Sequence, residues 1–234
     1  MTGRIPWPRV AVEGVVIVGS ILLAFGIDAW WSDRQAEELE AAMSAAAYEE
    51  VAANQSALVS QLELSEYSLA RIDRFLRATP RVLAQVPGDS VFATLSGFGR
   101  AEDFEPITGA ALTFLQSPAA SLAQASARGS VNRWVQALEK AEVERAVLQR
   151  RQESVQTEMV RYATGNAQAG AANFARMVSR SGPTVLVEMR NDDRVLSAVI
   201  EKAVSHMAYA LDLAALLALS DSVMAALVDP DDLR

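Results

Sequence analysis

The stretch that decides the fold is VAVEGVVIVGSILLAFGIDAWW, residues 10–31. No charged side chain lies between Glu13 and Asp28. At roughly 1.5 Å per residue, a helix over residues 10–31 is about 33 Å long, which matches the ~30 Å hydrocarbon core of a bilayer. Tryptophan rings prefer the headgroup level of a membrane. Three tryptophans flank the apolar core: Trp7, Trp30 and Trp31. The stretch therefore predicts one transmembrane helix with these three tryptophans as anchors at the interfaces of the lipid bilayer.

The uncharged core is short enough to suit two other kinds of segment, a cleaved secretory signal and a buried helix of a soluble domain. A signal is disfavoured because Asp28, Trp30 and Trp31 crowd the place where cleavage would fall. A buried helix normally has a polar face, and residues 14–27 offer only Ser20 and glycines for one. A membrane span is the favoured interpretation.

Small residues lie along one stripe of this span. Gly19 and Gly26 are one heptad apart, with Ser20 and Ala24 beside them. Such residues allow the backbone of another membrane helix to approach closely, so these four are candidate helix-packing residues. Small residues are also common in spans that pack on nothing, and the sequence leaves both interpretations open.

The orientation of a span follows the lysines and arginines near its ends, because flanks rich in them stay in the cytoplasm. Arg4 and Arg9 precede the span, whereas only Arg34 follows it closely. This bias predicts a cytoplasmic amino terminus in a bacterial inner membrane, with the bulk of the chain in the periplasm.

The composition predicts an acidic, all-α domain after the span. The chain has a net charge of −8 and is 51% hydrophobic, with abundant alanine and little β-branched alternation. Residues 1–31 are neutral overall, so the negative charge lies in the extramembrane domain. A nucleic-acid partner is excluded because an acidic surface repels phosphate backbones.

The chain divides into a tail (residues 1–9), the span (10–31) and an acidic helical domain (32–229). Within this domain, an uninterrupted apolar periodicity predicts a stalk helix over 32–78; a separate core helix after a bend near Ser32 is the alternative. Residues 79–129 are rich in proline and glycine, which predicts loops with short helices. The periodicity predicts long helices over 130–163 and 192–228, and short elements over 166–190, of which 183–189 is expected to be extended. A second span within 203–228 is disfavoured because charged residues interrupt it.

The sequence offers little catalytic chemistry. It has one histidine, His206, and no cysteine, which excludes thiolate chemistry, most zinc sites and bis-histidine haem. Glu201 and His206 are five residues apart, so they do not form the Glu-x-x-His pair of a di-iron bundle. Three acidic groups are expected to form solvated helix faces and caps: Glu37/Glu38/Glu40, Glu49/Glu50 and Glu102/Asp103/Glu105. We predict no catalytic, cofactor or metal site, and no small-molecule substrate is identified.

Two stretches carry a family resemblance. Residues 13–40, EGVVIVGSILLAFGIDAWWSDRQAEELE, resemble the start of a broad group of uncharacterised bacterial single-pass membrane proteins, which place a glutamate before a short apolar span, a tryptophan at its exit, and then a charged helix. Residues 109–135, GAALTFLQSPAASLAQASARGSVNRWV, are similar to the helical hairpin section of that group. The resemblance is loose over most of the chain. It implies a single-pass protein with an α-helical domain and carries no activity over.

With no reaction encoded, we expect a non-catalytic, membrane-anchored accessory subunit of a larger complex. Its partners are expected to be integral membrane protein subunits, for example those of an energy-converting respiratory or photosynthetic assembly. Two alternatives stay open: a stand-alone periplasmic sensor or ligand-binding domain on a membrane tether, and an enzyme that uses carboxylates alone.

Overall fold

The computed structural model describes residues 7–88, 90, 91, 94, 104–117, 122–164 and 182–228. This part of the chain contains helices and connections and no strand, so the all-α prediction is confirmed for it. The helices are α1 (Trp7–Arg77), α2 (Pro80–Leu83), α3 (Gly109–Gln116), α4 (Leu122–Thr164), α5 (Thr184–Asn191) and α6 (Asp193–Leu227). Of these, α1, α4 and α6 form the bundle.

Helix α1 is a single helix of 71 residues that passes through Ser32 without a break. Its side chains are exposed from residue 13 to residue 39, and the first fully buried one is Ala47. The stretch between the apolar segment and the bundle is therefore helical without tertiary support from the described residues. Arg34 stabilises it through ion pairs with Glu37 at 3.9 Å and Glu38 at 3.3 Å, and such exposed pairs within one helix contribute about 0.3–0.5 kcal/mol each.

Helix α6 lies antiparallel to α1. Near the start of the bundle, the Ser44 hydroxyl donates a hydrogen bond to the Leu227 carbonyl at 3.0 Å. Further along α1, Gln55 Nε2 donates to Asp221 Oδ1 at 2.6 Å. Because Ser44 lies thirteen residues beyond Trp31, the end of α6 is about 20 Å from Trp31 along the axis of α1.

Helix α6 also lies antiparallel to α4. The buried Trp134 indole N–H donates to the Ser220 hydroxyl at 2.9 Å. On the bundle surface, Lys140 pairs with Asp212 at 2.6 Å. An ion pair between Arg151 and Glu201, also at 2.6 Å, follows towards the other end. Helix α6 therefore packs on both α1 and α4, as a central helix.

Helix α3 is capped from α1. The Glu50 carboxylate accepts hydrogen bonds from the backbone N–H groups of Ala110 at 2.7 Å and Ala111 at 2.9 Å. The first amides of a helix have no intrahelical partner, and an anion at that end is favoured by the helix dipole. The Asn54 side chain pairs with the backbone of Ile107, donating to its carbonyl at 2.6 Å and accepting from its N–H at 3.0 Å. These bonds fix the chain that enters α3.

Two expectations about the second half are corrected. Residues 183–189 are not extended: α5 occupies this stretch, because Val185, Leu186 and Met189 share one helix face and are buried in the core. The long helix expected from residue 130 begins earlier, at Leu122. It passes through Gly129, where no atom lies within 4 Å of an added Cβ, so this glycine serves no turn. The short helix expected between 166 and 182 lies almost wholly outside the described residues.

Candidate functional site

The first candidate site is the exposed apolar segment of α1. Between Glu13 and Asp28 its large side chains face outward, including Leu22 (65% exposed) and Phe25 (68%). In water such a continuous apolar surface is strongly unfavourable, since burying it is worth about 25 cal/mol per Å². This segment must be covered by something other than the described chain.

The residues predicted as membrane anchors and as helix-packing residues all belong to α1. Trp30 and Trp31 are exposed at the end of the apolar segment, with ring centroids 6.3 Å apart. Trp7 is the first residue of α1, but its side chain lies outside the described residues. Gly19 and Gly26 have nothing within 4 Å of an added Cβ. The Ser20 hydroxyl donates to the Val16 carbonyl of its own helix at 2.8 Å, so its polar group is satisfied in an apolar setting.

Two helices of the described chain are long and apolar enough to span a membrane by composition, α1 from residue 13 onward and α6. They differ in what surrounds them. The apolar window of α1 is 0% buried within the protein, whereas that of α6 is 28% buried. These findings support membrane association, and α1 is the helix whose apolar surface is entirely uncovered.

The second candidate site is a band of polar side chains inside the bundle. The core consists of two apolar clusters. One contains Leu58, Leu148 and Tyr209, and the other contains Ile72, Val155 and Val199. Between them, each long helix carries buried polar residues, which we call the polar layer: Ser65 and Ser68 on α1, Gln152 on α4, and Lys202 and His206 on α6. This layer was not predicted from the sequence.

His206 is the best-defined chemical group of the polar layer. Its side chain is 0% exposed, and neither ring nitrogen has a hydrogen-bond partner among the described residues. Burial lowers the pKa of His206 to about 4, and the nearby positive charge of Lys202 contributes to this lowering. The ring is therefore neutral at physiological pH, and its two nitrogens provide one hydrogen-bond donor and one hydrogen-bond acceptor.

The polar layer has no obvious catalytic geometry. Its five members include no carboxylate, so it lacks the paired acid groups of a glycosidase or a general acid-base dyad. Within the described residues, no group of three or more His, Asp or Glu side chains is placed to hold a metal ion. A buried polar layer commonly fixes the register of packed helices, and this arrangement suits that role.

The acidic groups named from the sequence are distributed over the molecule. Glu37, Glu38 and Glu49 are exposed, whereas Glu50 is buried and caps α3. Glu105 is exposed before α3, and Glu102 and Asp103 lie outside the described residues. The described carboxylates of these groups thus form surfaces and a cap, with no convergent pocket between them.

The polar layer has a recognisable signal in the sequence. On α6 the buried stripe runs through Val195, Val199, Lys202, His206, Tyr209 and Leu213. Lys202 and His206 thus occupy core positions of the helical repeat, but apolar periodicity alone does not reveal them because their side chains are polar.

No protein-family model, curated protein or solved structure matches this chain.

Proposed function

We propose that this protein is a non-catalytic, membrane-anchored accessory subunit that contributes attachment and assembly to a larger integral membrane complex. One observation carries the proposal: the uncovered apolar segment of α1 continues as the same unbroken helix into the bundle. A rigid connection of this kind sets the height and direction of the bundle relative to the membrane. A loosely tethered enzyme would not need it.

In this proposal residues 10–31 cross a bacterial inner membrane once. The amino terminus is cytoplasmic because Arg4 and Arg9 precede the span, and the bundle is periplasmic. Helix α6 stays outside the bilayer because it packs on α1 and α4 and carries Asp212 and the buried Lys202 along its length. The resemblance to single-pass bacterial membrane proteins implies one span and does not determine its orientation.

The proposed contact with the complex is the stripe of the span that carries Gly19 and Gly26, with Ser20 and Ala24 on the adjoining side of the helix. With no protein atom near an added Cβ at either glycine, a partner helix can approach the backbone directly. Helix–helix contact in lipid depends on such close packing, because apolar side chains alone gain little over lipid tails.

The experiment is purification of the full chain from native membranes in mild detergent. We expect integral membrane subunits to co-purify, and we expect the Gly19→Leu/Gly26→Leu variant to lose them while remaining in the membrane. Gly14→Leu is the matched control, because Gly14 lies about 140° around the helix from Gly19 and also has open space around it. Equal recovery of partners with all three chains would contradict the proposed contact.

A ligand-binding or sensor domain is the second candidate, and His206 is the observation that favours it. A buried imidazole whose two nitrogens have no partner among the described residues is able to hold a polar ligand between the helices. Under the accessory-subunit proposal, His206→Leu leaves assembly with the membrane partner intact. Native mass spectrometry that finds a small molecule on the natural chain, and none on a folded His206→Leu chain, would favour the second candidate instead.

A further inference from the structure

Helix α6 has a second apolar face, turned away from the core. Its large members are Ile200 (45% exposed), Val204 (58%), Met207 (54%) and Leu211 (65%), and the exposed Ala214 and Ala218 continue it. We call these six residues the outer face. They recur at alternating intervals of four and three residues, the heptad pattern of helices that pack on another helix. The face is about 27 Å long.

The outer face is separate from the core of the bundle. At 100° per residue, it lies about 140° around α6 from the side that carries Lys202 and His206. It adjoins an open groove of about 380 Å³ between α1 and α6, lined mainly by Leu69, Ile72, Leu76, Ala203, Val204 and Met207, together with Asp73, whose carboxylate pairs with Arg77. Apolar surface therefore continues from the outer face onto α1. Contiguous exposed apolar patches of this kind mark interaction sites.

The charges around the outer face favour a second copy of this chain as its occupant. Four of the positions that flank the face are alanines, Ala203, Ala208, Ala210 and Ala215, and the equivalent positions at its two ends are Glu201 and Leu217. The carboxylates beside the face have partners on neighbouring helices: on α4, Arg151 binds Glu201 and Lys140 binds Asp212, and on α1, Gln55 donates to Asp221. Two chains of net charge −8 repel each other over most of their surfaces. At the outer face, however, no negative charge of one chain would face a negative charge of the other. A strongly charged partner would find no complementary group.

The membrane anchor selects the direction of pairing. Because α6 is antiparallel to α1, an antiparallel α6 pair would send the two spans in opposite directions. Two copies in one bilayer require a parallel pair, in which each residue of the outer face meets its own counterpart. Confinement to the same membrane also raises the effective concentration of the two faces, so a modest apolar stripe suffices.

We propose that the outer face of α6 is the interface of a parallel homodimer. The inference goes beyond the proposed accessory function, and only its parallel direction rests on the membrane anchor. Large apolar residues at the paired positions, with alanines beside them, allow the two helices to pack closely. Each chain then contributes one face, and the dimer closes with two-fold symmetry.

Disulfide crosslinking of the full chain in its membrane tests the dimer, because the natural sequence has no cysteine. A disulfide requires the two Cα atoms to lie within about 7 Å, so we expect Ile200→Cys and Met207→Cys chains to form dimers on mild oxidation at least about five times more than Val143→Cys chains. Val143 is the matched control, being 62% exposed on α4 and outside the outer face. Crosslinking of all three at the same level overturns the proposal.

The position of the cysteine also tests direction. In an antiparallel pair Ile200 and its counterpart lie far apart, so crosslinking at Met207 without Ile200 contradicts the parallel dimer. Crosslinking to a different protein contradicts it as well. Carbonate washing of the same samples reports on the anchor separately: release of the chain from the membrane with unchanged crosslinks overturns the anchor and leaves the interface in place.

A charge substitution provides an independent measurement. In lipid vesicles we expect labelled copies of the natural chain and of Val143→Lys to show energy transfer, and the Met207→Lys/Leu211→Lys chain, with unchanged helical circular dichroism, to show none. A natural chain that is monomeric, or a double-lysine chain that remains dimeric, contradicts the proposal.

Discussion

Lys202 and His206 lie one helical turn apart on α6, and both side chains are 0% exposed. Burial favours the neutral form of the imidazole, and the positive charge of Lys202 acts in the same direction. Protonation of the His206 imidazole in the middle of the bundle therefore opposes folding. This relationship gives the protein a measurable response to pH.

The first prediction concerns stability at low pH. The pKa of His206 is about 4 in the folded chain against an ordinary 6.5. Between these values the unfolded chain takes up a proton that the folded chain does not, so stability is lost as the pH falls. We expect the unfolding free energy of the natural chain, relative to His206→Leu, to fall by about 3 kcal/mol across this window.

Urea unfolding in detergent, followed by circular dichroism, measures this difference at several pH values. Acidic groups titrate in both chains, so their effect cancels in the comparison. The difference should be constant above about pH 7.5 and again below about pH 4. A difference that does not change between these limits would show that the ring is accessible to protons in the folded bundle.

The second prediction concerns the charge beside the ring. Replacing Lys202 with Met removes a positive charge, so the pKa of His206 should rise from about 4 while staying below 6.5 because the ring remains buried. His206 is the sole histidine, which makes its imidazole resonances unambiguous in an NMR titration. Lys140→Met is the control, since Lys140 is bound to Asp212 on the bundle surface. An unchanged or lower pKa in Lys202→Met would contradict the account.

The third prediction concerns the cap of α3. Glu50→Ala removes the acceptor for the N–H groups of Ala110 and Ala111, and we expect a loss of about 1–2 kcal/mol in unfolding free energy. Amide hydrogen exchange should accelerate at these two residues. The neighbouring Glu49→Ala is the matched control, because Glu49 is exposed. Equal exchange in the two variants would show that α3 does not depend on this cap.

The fourth prediction concerns topology. With a cytoplasmic amino terminus, the bundle is accessible from outside the inner membrane. A Val143→Cys chain should react with a membrane-impermeant maleimide in intact spheroplasts, because this position is 62% exposed. A Thr2→Cys chain should react only after the membrane is opened. The reverse pattern would place the bundle in the cytoplasm.

The helices that depend on a long periodic pattern could be predicted from the sequence. Residues 192–228 are an example: Asp192 caps α6 by accepting from the N–H groups of Arg194 and Val195, and the apolar repeat ends near Pro230. Short elements were harder. Residues 183–189, PTVLVEM, were expected to be extended and contain three β-branched residues, but contacts in the core favour the helix α5.

The faces of the helices were the part that the sequence obscured. On α6 the apolar residues belong to two faces, one in the core and one outside. The sequence alone does not show which apolar residue belongs to which face. Lys202 and His206 are buried in the core. Tertiary packing determines these positions, and hydropathy does not predict them. The sequence predicted that Glu49 and Glu50 form solvated faces or caps, but it did not identify α3 as the helix that Glu50 caps, because the two are distant in sequence.

The membrane anchor is tested by deleting residues 1–31 and washing the membranes with carbonate. Contacts of α1 with the bundle begin near Met43, so the shortened chain should retain its helical circular dichroism. We expect the full chain to stay in the washed membranes and the shortened chain to be soluble. A shortened, folded chain that persists in the washed membranes would show that α6 or another region holds it there, and would contradict the single-span anchor.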